Sequence, residues 1–220
     1  MMTELTAADG HVLDCWIEPA EGPRKGGIVL LQEIFGVTDQ LKGVARRYAA
    51  LGYEVAIPAL FDRQEKGAVI PFSEAPRGRD LMLAADLGQT MTDIDAAVQA
   101  LKTGGGKVAV IGFCWGGGLA IRAAQVLDIA AAVPFYGTRL PAYQVAPLRA
   151  PVMGHWGAED SHVPADMLDA ARAYFPEMEV HVYDGAGHAF ANEARPADFR
   201  PDEAEAAHRR TEAFLAAHLG

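Results

Sequence analysis

Short, continuously apolar runs alternate along the chain with longer stretches in which apolar residues recur every three or four positions. Gly27-Ile28-Val29-Leu30-Leu31 and Val108-Ala109-Val110-Ile111 are the clearest runs. Unbroken apolar character of this kind is what a strand buried on both faces of a parallel sheet requires. Strands are accordingly expected at His11–Glu18, Gly27–Gln32, Tyr53–Ile57, Lys107–Ile111, Ala130–Phe135, Pro151–His155 and Glu179–Tyr183. Helices are expected at Asp39–Leu51, Asp80–Lys102, Trp115–Leu127, Pro164–Tyr174 and Pro201–His218. Within Asp80–Lys102, Leu83, Leu87, Met91, Ile94 and Val98 fall on one apolar stripe. Leu51-Gly52 and Thr103-Gly104-Gly105-Gly106 read as helix stops. Two opening strands followed by repeated helix–strand units predict an α/β fold, a mostly parallel twisted sheet with helices on both faces, in a single domain over residues 1–220. Phe61–Arg79 breaks the rhythm. It contains Gly67, Pro71, Pro76 and Gly78 without a sustained period, and reads as either a surface excursion or the rim of a site.

Composition narrows the partners. The 220 residues are 50% hydrophobic and 22% charged, ordinary globular chemistry that can build a core without a metal or disulfide staple. With 19 basic against 29 acidic residues the net charge is −10, which excludes holding nucleic acid or an anionic membrane by the net field. The basic pairs Arg46-Arg47 and Arg209-Arg210 fall on predicted helices and read as solvated surface. Cys15 and Cys114 make no disulfide framework and suit a reducing compartment. Residues 1–20 lack the apolar core of a signal peptide, and no run approaches the roughly 20 residues that cross a bilayer. The expectation is a cytoplasmic monomer with a small-molecule partner and no metal or organic cofactor.

The strongest chemical signal is Gly112-Phe113-Cys114-Trp115-Gly116-Gly117-Gly118, directly after the run Val108–Ile111 and directly before a predicted helix. This is the nucleophile-elbow pattern with Cys in place of Ser. A sharp strand-to-helix turn forces the nucleophile into strained φ/ψ, so its crowded neighbours two positions away must lack side chains. The helix N-terminus there favours a thiolate. A phosphate-binding loop is the rival for adjacent glycines, but neither Gly-x-Gly-x-x-Gly nor Gly-Lys-Ser/Thr is present; an inert buried Cys is the other.

A nucleophile needs a base, and the base an orienting acid. Of the seven histidines, His188 stands in the Gly-flanked loop Asp184-Gly185-Ala186-Gly187-His188 after the last predicted strand. His162 is a rival in a loop beside the acid, while His11, His155, His181, His208 and His218 read as strand or helix residues. Asp160 lies in Gly157-Ala158-Glu159-Asp160-Ser161-His162-Val163-Pro164, after a strand and before a helix; Glu159 is the alternative acid. The order nucleophile, acid, base is that of the α/β-hydrolase fold. In that fold the loop after the second strand, Gln32-Glu33-Ile34-Phe35-Gly36, supplies an oxyanion N–H, so the main-chain N–H groups of Ile34 and Trp115 are the expected donors.

Gln32-Glu33-Ile34-Phe35-Gly36, Gly112-Phe113-Cys114-Trp115-Gly116-Gly117, Gly157-Ala158-Glu159-Asp160 and Gly187-His188-Ala189-Phe190 together resemble the dienelactone hydrolase family, the carboxymethylenebutenolidases. The resemblance implies a Cys114–His188–Asp160 triad, hydrolysis of an enol-lactone or ester through a thioester, and a resting thiol whose proton is taken by Glu33 as substrate binds. It also implies two substrate-binding arginines. Arg77 and Arg79 stand where one is expected, but Asn192 replaces the other, which points to a less anionic or differently shaped substrate. Phe35, Tyr136 and Trp156 are candidate pocket walls, each equally readable as core. A Cys–His–Glu amidotransferase would need Glu193 in an unfamiliar spacing, and a non-catalytic binding or redox-sensing role on the same fold is the remaining alternative.

Overall fold

The computed structural model describes all residues from Met1 to Gly220. The chain divides into two units, Met1–Ala109 with Leu219 and Val110–His218 with Gly220; the division falls inside one strand, Val108–Phe113.

In the first unit the strands are β1 (Met2–Thr6), β2 (Val12–Glu18), β3 (Gly26–Leu31) and β4 (Tyr53–Pro58), in the order β1-β2-β4-β3. β1 and β4 pair antiparallel with β2, and β3 pairs parallel with β4. β3 is buried at every position, and Ile28, Val29, Leu30 and Leu31 expose nothing. At about 1.5–3 kcal/mol for each large apolar side chain taken out of water, that strand alone is a major part of the unit's core. Helix α1 (Asp39–Ala50) starts at Thr38, whose hydroxyl accepts the Leu41 N–H, and buries Leu41, Val44, Ala45, Tyr48 and Ala49.

The stretch expected as one helix over Asp80–Lys102 is two, α2 (Ala75–Ala84) and α3 (Leu87–Lys102). Asp86 separates them in extended conformation and accepts the Gln89 N–H, an N-cap that restarts the helix. The predicted stripe holds only for Met91, Ile94 and Val98; Leu83 and Leu87 are exposed. The region Phe61–Arg79 is not a wandering loop either. Asp62 accepts the main-chain N–H groups of Asp14 and Gly67, both at 2.7 Å, and Arg63 grips the buried Asp93 of α3 through two 2.7 Å hydrogen bonds. A short 3-10 turn (Phe72–Glu74) then leads into α2.

The second unit holds the end of β5 (Val108–Phe113), then α4 (Trp115–Val126), β6 (Ala131–Phe135), the short α5 (Leu140–Tyr143), β7 (Met153–Gly157), α6 (Ala165–Tyr174), β8 (Glu179–Tyr183) and α7 (Pro201–Leu219). Strand order is β5-β6-β7-β8, with β6–β7 and β7–β8 parallel. His155 on β7 is fully buried, as a strand histidine, in a hydrogen-bond chain with a direction. Thr211 Oγ1 donates to the Ala207 carbonyl at 2.9 Å, so it accepts from His155 Nε2–H at 3.0 Å. Nδ1 then accepts from the Tyr183 hydroxyl at 2.9 Å, whose oxygen accepts from Arg210 at 2.9 Å. Burial, followed by the charges of His181, His208 and Arg210, holds the His155 pKa well below 6.5, so the ring is neutral. Arg210 is therefore the donor at the head of this chain rather than merely solvated helix surface.

Candidate active site

β5 ends against β6, where the Cys114 N–H donates to the Phe135 carbonyl at 3.0 Å and Phe113 stacks on Phe135 with centroids 4.7 Å apart. The chain then turns so sharply that Cys114 has φ 54° and ψ −115°, and α4 begins at the next residue. A Cβ at Gly112 would lie 1.9 Å from the Gly116 carbonyl oxygen, so the turn closes only without a side chain at that position. Positive φ at a non-glycine residue costs on the order of 1–3 kcal/mol and is held by the surrounding structure. Cys114 is half-buried at the N-terminus of α4.

The acid and base come from the loops after β7 and β8, and these loops are laced together. Ala158 N–H donates to the Tyr183 carbonyl and Glu159 N–H to the Ala186 carbonyl, both at 2.9 Å. The lacing brings Asp160 Oδ2 to 2.8 Å from His188 Nδ1, while Asp160 Oδ1 accepts the His162 N–H at 2.8 Å. Asp160 is 3% exposed and Glu159 is exposed, which separates the two candidate acids. Asp160 does not cap α6; Pro164 holds that position. Cys114 lies close enough to His188 to act on its titration. Burial opposes a charge on His188, but hydrogen bonding to Asp160 and Cys114 and Coulombic interaction with them outweigh it, and its pKa is pushed up to about 10. Cys114, His188 and Asp160 thus form a connected line, with a ring that holds its proton beside a sulfur.

Two expected pocket walls are supports instead. Tyr136 is fully buried at φ 37°, its ring edge-on to His188 at 5.2 Å and to Phe190 at 5.6 Å. Trp156 is fully buried and its indole N–H donates to the Gly137 carbonyl at 3.1 Å. Asn192 is 1% exposed and its Oδ1 accepts the Ala194 N–H at 3.1 Å, closing a turn rather than facing outward. His162, set aside as a rival base, is exposed and lies against His188 with ring centroids 4.4 Å apart.

The remaining expected residues lie in the first unit. Glu33 is 7% exposed just past β3, and Phe35 is buried edge-on to Phe72 at 4.7 Å. The Ile34 carbonyl packs close against α2: a Cβ at Gly78 would lie 2.0 Å from its oxygen. Arg77 and Arg79 are both exposed on α2, and Arg77 pairs with Glu65 and Glu74. Cys15 is buried and unpaired, and burial pushes its thiol up to about 12, as suits a structural cysteine. No group of three or more His, Cys, Asp or Glu side chains is arranged to hold a metal ion, and no helix is long and apolar enough to cross a membrane.

Comparison with known proteins agrees with this fold. A solved structure from Klebsiella pneumoniae subsp. pneumoniae MGH 78578 superposes with a TM-score of 0.84, at 27% identity over 98% of each chain. A dienelactone hydrolase-like promiscuous phosphotriesterase from metagenomic libraries superposes at 0.81 with 22% identity over 100% of this chain and 99% of its own, a likeness of fold. The carboxymethylenebutenolidase of Pseudomonas putida is 32% identical over 206 residues, 87% of each protein. The chain has the α/β-hydrolase fold and is a hydrolase. Residues 14–219 match the family model as well, and with that the chain belongs to the dienelactone hydrolase family.

Proposed function

We propose that this hydrolase cleaves enol-lactones or activated carboxylic esters with Cys114 as nucleophile, His188 as proton carrier and Asp160 as its orienting acid. The observation that carries the reading is the unbroken line from strained Cys114 through His188 to buried Asp160. The thiolate attacks the carbonyl carbon, forming a C–S bond and an oxyanion. The N–H of Trp115, first residue of α4, is offered to that oxygen, and the family resemblance assigns the second donor to Ile34. The intermediate collapses to a thioester on Cys114 and expels the enolate or phenolate, to which His188 gives its proton. Water, losing a proton to His188, then cleaves the thioester and returns the thiolate.

A thiolate is itself a good leaving group, so the substrate must carry one at least as good. Enolates and phenolates qualify and simple alkoxides do not. The pairing of Arg77 with Glu65 and Glu74 and the burial of Asn192 support a substrate less anionic than dienelactone. The test is turnover of dienelactone and of a p-nitrophenyl ester by the wild type and Cys114→Ala. Ester turnover is expected to vanish in the variant, and dienelactone to be a poor substrate. Turnover that survives the substitution overturns the mechanism; a low-micromolar KM for dienelactone overturns the substrate preference alone.

A further inference from the structure

We propose that His162 is a positioning residue for His188, bracing the base with its ring and the acid with its main chain. The inference deepens the Cys114–His188–Asp160 reading and rests on it. His188 is hydrogen-bonded to Asp160 through Nδ1 and lies close to Cys114. Those contacts fix the line along which the imidazole points but not its tilt about that line, and the terminal torsion of histidine has a broad, nearly two-fold energy profile. Ring contacts must set the tilt. From the core side the buried ring of Tyr136 meets His188 edge-on at 5.2 Å. From the solvent side the exposed ring of His162 lies at 4.4 Å with the planes tilted 55°. The His188 side chain is left only 12% exposed.

The same residue secures the acid. Its N–H occupies Asp160 Oδ1, so that Oδ2 is the oxygen left to His188. Val163, next in sequence, is the loop's buried anchor, and the exposed His162 ring lies over His188.

His162→Ala and His162→Phe separate the possibilities. Turnover of a p-nitrophenyl ester and the pH dependence of Cys114 alkylation by iodoacetamide are the readouts. In His162→Ala, kcat is expected to fall about 10-fold with KM within about twofold, because a loosened base is misplaced without loss of substrate contacts. The acid limb of alkylation should move to higher pH, since a tilting imidazole pairs less well with the thiolate. His162→Phe, which restores a ring face without titrating, should return both to near wild type. An alanine variant that matches the wild type overturns the proposal, as does a phenylalanine variant as impaired as alanine. Turnover persisting in Cys114→Ala would instead remove the reading on which it rests.

Discussion

Replacing Asp160 with Asn tests the electrostatic core of the site. In the native site the carboxylate accepts from His188 Nδ1–H at 2.8 Å and is almost wholly buried, so water does not screen it. Moving His188 from an ordinary value near 6.5 to about 10 corresponds to a preference of about 5 kcal/mol for the charged ring, at about 1.4 kcal/mol per tenfold. Asp160 and Cys114 generate that preference against the opposing effect of burial. Because the two also overcome burial, their combined effect exceeds that net figure; if Asp160 supplies about half, neutralising it weakens the thiolate–imidazolium pair by at least about 2.5 kcal/mol, or roughly 50-fold or more. The amide adds a second defect. Its oxygen can still accept the His162 N–H, which leaves its NH2 facing His188 Nδ1. Nδ1 must then accept, and the proton moves to the nitrogen that should serve Cys114. Alkylation of Cys114 by iodoacetamide at pH 7 is therefore expected to slow by about 50-fold or more in Asp160→Asn, with ester turnover falling at least as far. Circular dichroism confirms that the variant is folded. Alkylation within about threefold of wild type would refute the reasoning, since it would mean that Asp160 does not hold the pair together.

Two further expectations concern stability. His155 is neutral when folded, with a pKa well below 6.5, but takes up a proton near 6.5 once unfolded; its contribution is complete above that pH and is lost as pH falls through the window below it. Unfolding free energies from urea titrations between pH 7 and 5 should decline with a slope of up to about 1.4 kcal/mol per pH unit from this group, and a His155→Gln variant that declines as steeply as wild type would contradict the assignment. Arg63→Ala strands the buried carboxylate of Asp93, which Arg63 holds at 2.7 Å. A loss of about 3–5 kcal/mol is expected, read as a drop of roughly 6–20 °C in Tm; a loss below about 1 kcal/mol would show that the pair is dispensable.

The parts of the fold that the sequence displays are those where one force acts alone. β3 and β5 are buried on all sides and read as unbroken apolar runs. Cys114, Asp160 and His188 are legible because each follows a strand in a loop that glycine marks. Edges and joints are hidden. β1 pairs only with β2 and is mostly exposed, so Met2–Thr6 has no apolar pattern to find. The break at Asp86 is masked because the apolar spacing runs straight across it, although a single capping carboxylate decides it. Pro76 reads as a breaker, yet it stands in the first turn of α2, where a missing N–H costs nothing. Tyr136 and Trp156 show the other limit: an aromatic residue just past or within a strand has the same sequence signature whether it lines a pocket or supports one. Their burial settles it as support.

The contact between Gly78 and the Ile34 carbonyl has a consequence for how α2 can vary. The nearest obstacle to a side chain at 78 is the Ile34 carbonyl, so the helix passes a point that offers no room for adjustment. Its neighbours Arg77, Arg79 and Leu83 are exposed and make no comparable demand. A combinatorial library over α2 thus has an uneven search space, with one frozen position surrounded by permissive ones. Diversity sown at 77, 79 and 83 would decorate a fixed scaffold, whereas a single methyl at 78 would displace the helix and every exposed residue it carries.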